Sequence, residues 1–347
     1  MKRILAPLLM SVVVLVLAAC GSNDESVTSK ETDTNSTSDQ LTIHTTVYPL
    51  QYFAERIGGD YVNVKSIYPA GANEHSFDPT QKDMIALADS DLFFYIGLGL
   101  EGFVENAKKT LANESVKLVP TADGVSEADL HISTGHTHAE AIVEEDDHNH
   151  DHDGHDDDEH ATDATEEQHE HSHEHDAHVW LSPVISQQLA KVIKDELVAA
   201  MPEQEAIFNE NYDALVTDLQ LLHEDFTAMA AETTSKTFFV SHAAFGYLAG
   251  HYGFNQVPVA GLNSQSEPSQ KELTAIVDLA KKENINYIFF EQNVSSNLAK
   301  VIQQEVGADT LILHNLSVLT QDDLNNDEDY FTLMRHNIDV LKQALTN

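Results

Sequence analysis

The chain repeats one grammar twice: a short β-branched or aromatic run, a turn signal, a segment of helical spacing, then the next run. In the first block the runs fall at residues 41–47, 62–68, 91–96 and 116–119, with helical segments predicted at 50–57, 80–88 and 102–112. Tyr48-Pro49 ends the first run, Pro69-Ala-Gly71 ends the second, and Thr80 reads as a helix cap. In the second block the runs fall at 236–240, 257–260, 286–290 and 310–313, with helices predicted at 243–251, 270–282, 296–306 and 330–345. Strands alternating with helices predict an α/β fold of two βα lobes with mostly parallel sheets. Between the blocks, residues 183–200 read as an amphipathic helix with Ile185, Leu189, Val192, Ile193 and Leu197 on one side. Ser182-Pro183 supplies its N-cap and first helical residue. A further helical pattern from Pro202 to about Glu232 would be about 45 Å long at 1.5 Å per residue. That length suits a strut joining two lobes, and two shorter helices with a break fit the same pattern.

One stretch interrupts this grammar. Residues 140–176 hold seventeen Asp or Glu, nine His and no Lys or Arg, with almost nothing apolar. Such a stretch cannot bury a core and reads as an insertion into an evenly built chain. It ends abruptly in Ala177-His-Val-Trp-Leu-Ser-Pro183, which contains the only tryptophan. The formal net charge of −40 excludes nucleic acid as a partner, because phosphate binding needs basic patches. Lys2 and Arg3 precede an apolar run from Ile4 to Ala19, too short for a membrane span and suited to a signal-peptide core. Leu17-Ala-Ala-Cys20 resembles a bacterial lipobox, in which Cys20 is lipidated and heads the mature chain. The predicted organisation is a signal peptide at 1–19, the lipidated cysteine and a polar tether at 20–40, an N-terminal lobe at 41–202 carrying the insertion at 140–176, a linking helix at 203–235, and a C-terminal lobe at 236–347. Cys20 is the sole cysteine, so the chain has neither an internal disulfide nor a cysteine-based zinc site. Any metal site must be built from histidine and carboxylate.

Four positions share one feature. His75 follows the turn after the second run, His178 precedes the Ser182 cap, His242 follows the 236–240 run, and Glu291 directly follows the 286–290 run. Open α/β sheets bind ligands beyond the carboxyl ends of their strands, so two facing lobes would bring these residues into one cleft. Three imidazoles and one carboxylate make a complete tetrahedral set for a borderline cation such as zinc, whereas manganese favours more oxygen. His44, His223, His251, His314 and His336 sit in patterned segments and read as structural or solvated. The insertion's own histidines (His148, His150, His152, His155, His160, His169, His171, His173 and His175) are expected to hold metal weakly, interspersed with carboxylates.

Pro69-Ala-Gly-Ala-Asn-Glu-His-Ser-Phe-Asp-Pro79, His178-Val-Trp-Leu-Ser-Pro183, Ser241-His-Ala-Ala-Phe-Gly-Tyr247 and Glu267-Pro-Ser269 resemble the signature segments of the zinc and manganese solute-binding proteins of ABC importers, cluster A-I type. The resemblance covers residues 41–347. It implies two lobes joined by a long rigid helix with the metal in the cleft between them, and His75, His178, His242 and Glu291 as ligands. It further implies a monomeric receptor, lipid-anchored on the outer face of the cell membrane, that delivers Zn²⁺ to an ABC permease. His then Glu at the third and fourth ligand positions, and the histidine-rich insertion, are similar to the zinc members, with Mn²⁺ as the alternative. The insertion is expected to capture zinc, or to sense its abundance, beside the cleft. A surface zinc buffer or adhesin is the other binding reading. A zinc hydrolase, with Glu74 as base, would need an open metal position, and the chain offers no HExxH helix, nucleophile elbow or Walker loop, so no enzyme is expected.

Overall fold

The computed structural model describes residues 40–134, 175–264, 268–293 and 296–346. The signal peptide, Cys20 and eight of the insertion histidines, His148, His150, His152, His155, His160, His169, His171 and His173, lie outside the described residues. Among the described residues, no helix is long and apolar enough to cross a membrane.

In chain order the first lobe contains β1 (Leu41–Thr45), α1 (Tyr48–Gly58), β2 (Val62–Ser66), α2 (Gln81–Ala88), β3 (Leu92–Tyr95), α3 (Val104–Thr110), β4 (Lys117–Pro120) and α4 (Glu127–Leu130). Then come α5 (Pro183–Ala200) and α6 (Glu205–Glu232). The second lobe contains β5 (Thr237–His242), α7 (Gly246–Tyr252), β6 (Asn255–Ala260), α8 (Gln270–Lys282), β7 (Tyr287–Phe290), α9 (Asn297–Val306), β8 (Asp309–Ile312), α10 (Gln321–Asn325) and α11 (Tyr330–Leu345). Each lobe is a four-stranded, wholly parallel sheet, ordered β2-β1-β3-β4 in one and β6-β5-β7-β8 in the other. In both, the chain winds outward in opposite directions from the central pair, so a topological switch point lies between β1 and β3 and another between β5 and β7.

Local chemistry explains the boundaries. Thr80 accepts a hydrogen bond from Asp83 N while the Asp83 carboxylate accepts from Thr80 N, a reciprocal box that starts α2. Ser269 with Glu272 does the same for α8, and the Ser182 hydroxyl caps α5 with Pro183 in its first turn. Pro49 does not merely end β1; it sits in the first turn of α1, where its missing N–H costs nothing.

The pattern from Pro202 resolves as a short 3-10 turn, Pro202–Gln204, followed by one unbroken helix. At 28 residues, α6 is about 42 Å long. Its buried stripe, Phe208, Leu215, Leu219, Leu222, Phe226 and Met229, packs on α1, α5 and α11. The strut is therefore part of a core and not a free rod. That apolar core runs from Ile43, Phe93 and Phe94 of the first sheet, through these helices, to Phe238, Val240 and Phe289 of the second. The alternate residues Phe239, Ile288 and Phe290 face a smaller cluster with Ile276, Ala299 and Ile302 beneath α8 and α9.

Candidate metal centre

The carboxyl ends of the second sheet's central strands carry the site. His242 is the last residue of β5, and Glu291 is the first residue beyond β7, so the two flank that sheet's switch point. His75 lies in the loop between β2 and α2, where its backbone N–H donates to Asn73 Oδ1 at 3.0 Å. His178 immediately precedes a 3-10 turn, Val179–Leu181, that leads into α5.

Three of the four sequence-predicted residues converge. The His75 Nε2 atom lies 3.3 Å from Nε2 of His242 and 3.3 Å from Nε2 of His178. Among the described residues, His75, His178 and His242 form the one group of three His, Cys, Asp or Glu whose ligand atoms all lie within 4.8 Å of one another. Tetrahedral zinc with Zn–N bonds of about 2.0–2.1 Å separates neighbouring donors by about 3.3 Å. The ring nitrogens already stand at that separation.

Two of the rings have their tautomer set from behind. His178 Nδ1 donates to Asp176 Oδ1 at 2.7 Å, and His242 Nδ1 donates to both oxygens of Glu291 at 2.9 Å. An ionised carboxylate can only accept, so the proton sits on Nδ1 and the Nε2 lone pair faces the cleft. All four groups are buried. Burial pushes the His75 imidazole down to about 2, helped by repulsion from His178 and His242, so it stays neutral and able to donate its lone pair. Burial alone would lower His242, but the charge and hydrogen bond of Glu291 outweigh it and hold that imidazole above its usual value. Burial would raise Asp176 and Glu291, and their histidine partners hold both below the usual carboxylate range.

Glu291 stands differently from the three imidazoles. Its Oε1 accepts from Ser241 Oγ at 3.0 Å and its Oε2 from Asn315 Nδ2 at 2.7 Å. With both oxygens also on Nδ1 of His242, it backs that imidazole and would have to swing away to stand beside Nε2. Glu74 is a second carboxylate beside the rings. It is buried, with Oε1 4.0 Å from His75 Nε2, and it accepts from Asn315 Nδ2 and Asn293 Nδ2 at 3.2 Å each. Burial raises its pKa.

Asp176, Asn293 and Asn315 escaped the sequence reading. Asp176 is the last acid of the insertion, yet it is buried, accepts from Ser133 Oγ at 2.6 Å and anchors His178. The available signal was position, two residues before a candidate ligand and beside the apolar Val-Trp-Leu. Gly246 makes this approach possible, because a Cβ there would meet Ser133 Oγ and Asp176 Oδ2. Asn315 bridges Glu74 and Glu291, while its carbonyl accepts from Trp180 Nε1 at 2.7 Å. His175 lies at the surface beside His131 and Glu127. Of the histidines read as structural, His223 faces Tyr252, His251 faces Ser182 and the Tyr247 carbonyl, and His314 faces Asp323.

The profile of the family described as ZnuA, zinc-uptake complex component A, periplasmic, matches residues 43–344. The chain is 34% identical over 344 residues to the zinc-binding lipoprotein AdcA of Streptococcus pneumoniae serotype 4, covering 99% of this chain and 61% of that one. It is 32% identical over 331 residues to the high-affinity zinc uptake system protein ZnuA of Bacillus subtilis strain 168, covering 95% and 94%. It spans 56–61% of the length of its streptococcal relatives. Among solved structures, the Zn(II)-bound ZnuA-like domain of Streptococcus pneumoniae AdcA superposes with a TM-score of 0.66 at 30% identity, over 89% of this chain and all of that domain.

Proposed function

The chain belongs to the zinc-uptake complex component A family, and from that premise we propose that it is an extracytoplasmic Zn²⁺ receptor serving an ABC importer. It binds one ion between His75, His178 and His242 and releases it to the importer's membrane subunit. The observation that carries this reading is the convergence of three Nε2 atoms at zinc-donor spacing, two of them held in the donor tautomer by buried carboxylates. Three imidazoles suit zinc better than manganese, which prefers oxygen. Glu291 is the fourth member of the set, acting on the ion directly once its carboxylate leaves His242 Nδ1. The zinc-binding names of the streptococcal and Bacillus relatives support the choice of metal.

The lipidated Cys20 would hold the monomer at the outer face of the membrane through the 20–40 tether, as the lipoprotein name of the pneumococcal relative supports. Residues 41–202, 203–235 and 236–347 serve as first lobe, linking helix and second lobe. The insertion captures zinc near the cleft and raises its local supply. No catalysis is assigned.

Trp180, the only tryptophan, lies with its ring centroid 5.4 Å from that of His178 and reports on the cleft. In a competition titration followed by its fluorescence, zinc should displace manganese, and His242→Ala should lose tight zinc binding by more than the roughly 100-fold expected for a merely supporting group. Equal competition by manganese, or tight zinc binding in the variant, would overturn the assignment.

A further inference from the structure

We propose that Asn315 sets the metal specificity of the cleft by holding the Glu74 carboxylate off the ion, so that three imidazoles and a single carboxylate face the metal. This rests on the reading of the cleft as a zinc receptor. Glu74 is the group that has to be restrained. It is buried, and its Oε1 lies 4.0 Å from His75 Nε2. Donors around tetrahedral zinc stand about 3.3 Å apart, so a shift of about 1 Å would bring that oxygen into the set. A second carboxylate beside Glu291 would make the site richer in oxygen and favour manganese, whereas a nitrogen-rich set suits zinc.

Two amides hold Glu74 in place. Its Oε1 accepts from Asn315 Nδ2 and its Oε2 from Asn293 Nδ2, at 3.2 Å each. The orientation of the Asn315 amide follows from its own oxygen. Asn315 Oδ1 accepts from Gln292 Nε2 at 2.9 Å, Ser317 N at 3.0 Å and Ser317 Oγ at 2.9 Å. With the oxygen turned to those donors, the NH₂ group faces the carboxylates, which can only accept when ionised. The same Nδ2 donates to Glu291 Oε2 at 2.7 Å, so one amide ties both carboxylates of the cleft. The loop that carries it is fixed in turn. Asn315 is fully buried, and its backbone carbonyl accepts from Trp180 Nε1 at 2.7 Å. Leu316, the next residue, has a φ of 57°, which a leucine keeps only where its surroundings impose it. Tyr48 N and Gly71 N of the first lobe donate to the carbonyls of Ser317 and Leu319, at 2.9 and 3.1 Å. The amide therefore stands on a support anchored to both lobes, and Asn315 acts through Glu74 as a positioning residue.

The test is a competition titration of zinc against manganese on the chain from Cys20 onward, with zinc-edge X-ray absorption at one equivalent of zinc, where weak sites stay empty. Asn315→Ala should narrow the zinc-over-manganese affinity ratio by about 10- to 100-fold, the range for a group that supports a ligand set. It should also add one oxygen to the zinc shell. Asn293→Ala, which frees the other oxygen of Glu74, should narrow the ratio in the same direction by a smaller factor. Adding Glu74→Gln to either variant should restore most of the ratio, a rescue that a merely structural loss at these positions would not show. If Asn315→Ala does not fold, Asn293→Ala with and without Glu74→Gln decides alone. An unchanged ratio in the single variants, or a narrowed ratio that Glu74→Gln fails to restore, overturns the proposal. Fewer than three imidazoles around zinc in the unaltered chain would instead sink the cleft assignment.

Discussion

The two lobes share one topology, and each places a buried glutamate at its switch point, but the two carboxylates face different partners. In the first lobe, Glu101 accepts from Ile96 N at 2.8 Å, Gly97 N at 3.0 Å and Thr46 Oγ1 at 2.8 Å. Its hydrogen-bonding capacity goes to two strand ends, and burial raises its pKa. In the second lobe, Glu291 accepts from Ser241 Oγ, Asn315 Nδ2 and the Nδ1 of His242, and is held below the usual range. One glutamate closes the sheet end; the other turns an imidazole outward. An identical strand order therefore yields a plug in one lobe and a support for an imidazole in the other, depending on whether the residue ending the first central strand is a histidine.

Substitutions can separate these roles. Glu291→Gln should weaken zinc binding by more than the roughly 10- to 100-fold expected of a group that acts only through His242; unchanged affinity in a zinc titration would remove it from the site. Proton competition comes next. Metal binds only unprotonated imidazole, and His242 is held above the usual value of 6.5, whereas His75 is pushed down to about 2. Zinc binding therefore releases a proton from His242 at any pH below its raised pKa. Affinity should climb about tenfold per pH unit there and flatten above it. Titrations at several pH values, with Glu291→Gln moving the break downward, check both the sign and the partner. Gly246→Ala should weaken binding by about tenfold or less by displacing Asp176 from His178. The smallest effect on affinity belongs to Glu101→Gln, which should stay within about twofold for zinc. Leaving a backbone N–H without its acceptor should nonetheless cost this variant about 1–3 kcal/mol of stability, measurable by urea unfolding. Loss of zinc affinity in Glu101→Gln at intact stability would erase the contrast between the lobes.

Legibility in the sequence followed the range of the forces involved. Pro183–Ala200, Gln270–Lys282 and Tyr330–Leu345 match the predicted spans because caps and apolar periodicity are local signals. The short α4 and α10 passed unread, although Thr320 and Asp323 spell the same capping box as Thr80 and Asp83. At four and five residues they carry no periodicity to detect. The three imidazoles were legible as strand-end and cap-adjacent positions. Their supports were not. Asp176 was hidden among sixteen other acids of the insertion, and Asn315 earns its place only through tertiary contact with Glu74, Glu291 and Trp180. The position of Glu291 along the chain was readable, but the direction of its carboxylate was not.

On the proposed function, one buried cleft, and not the acidic insertion, is the tight receptor site. The burial of Asp176 sets how that should be tested, since a deletion must stop at residue 174 to spare His175 and the anchor of His178. The decisive measurement is zinc stoichiometry and affinity by competition with a chelator, for the chain from Cys20 onward beside the same chain lacking residues 140–174. One tight zinc should survive the deletion with its affinity unchanged while only weak sites disappear. Loss of the tight zinc on deletion, or its persistence after His75→Ala and His242→Ala together, would contradict it.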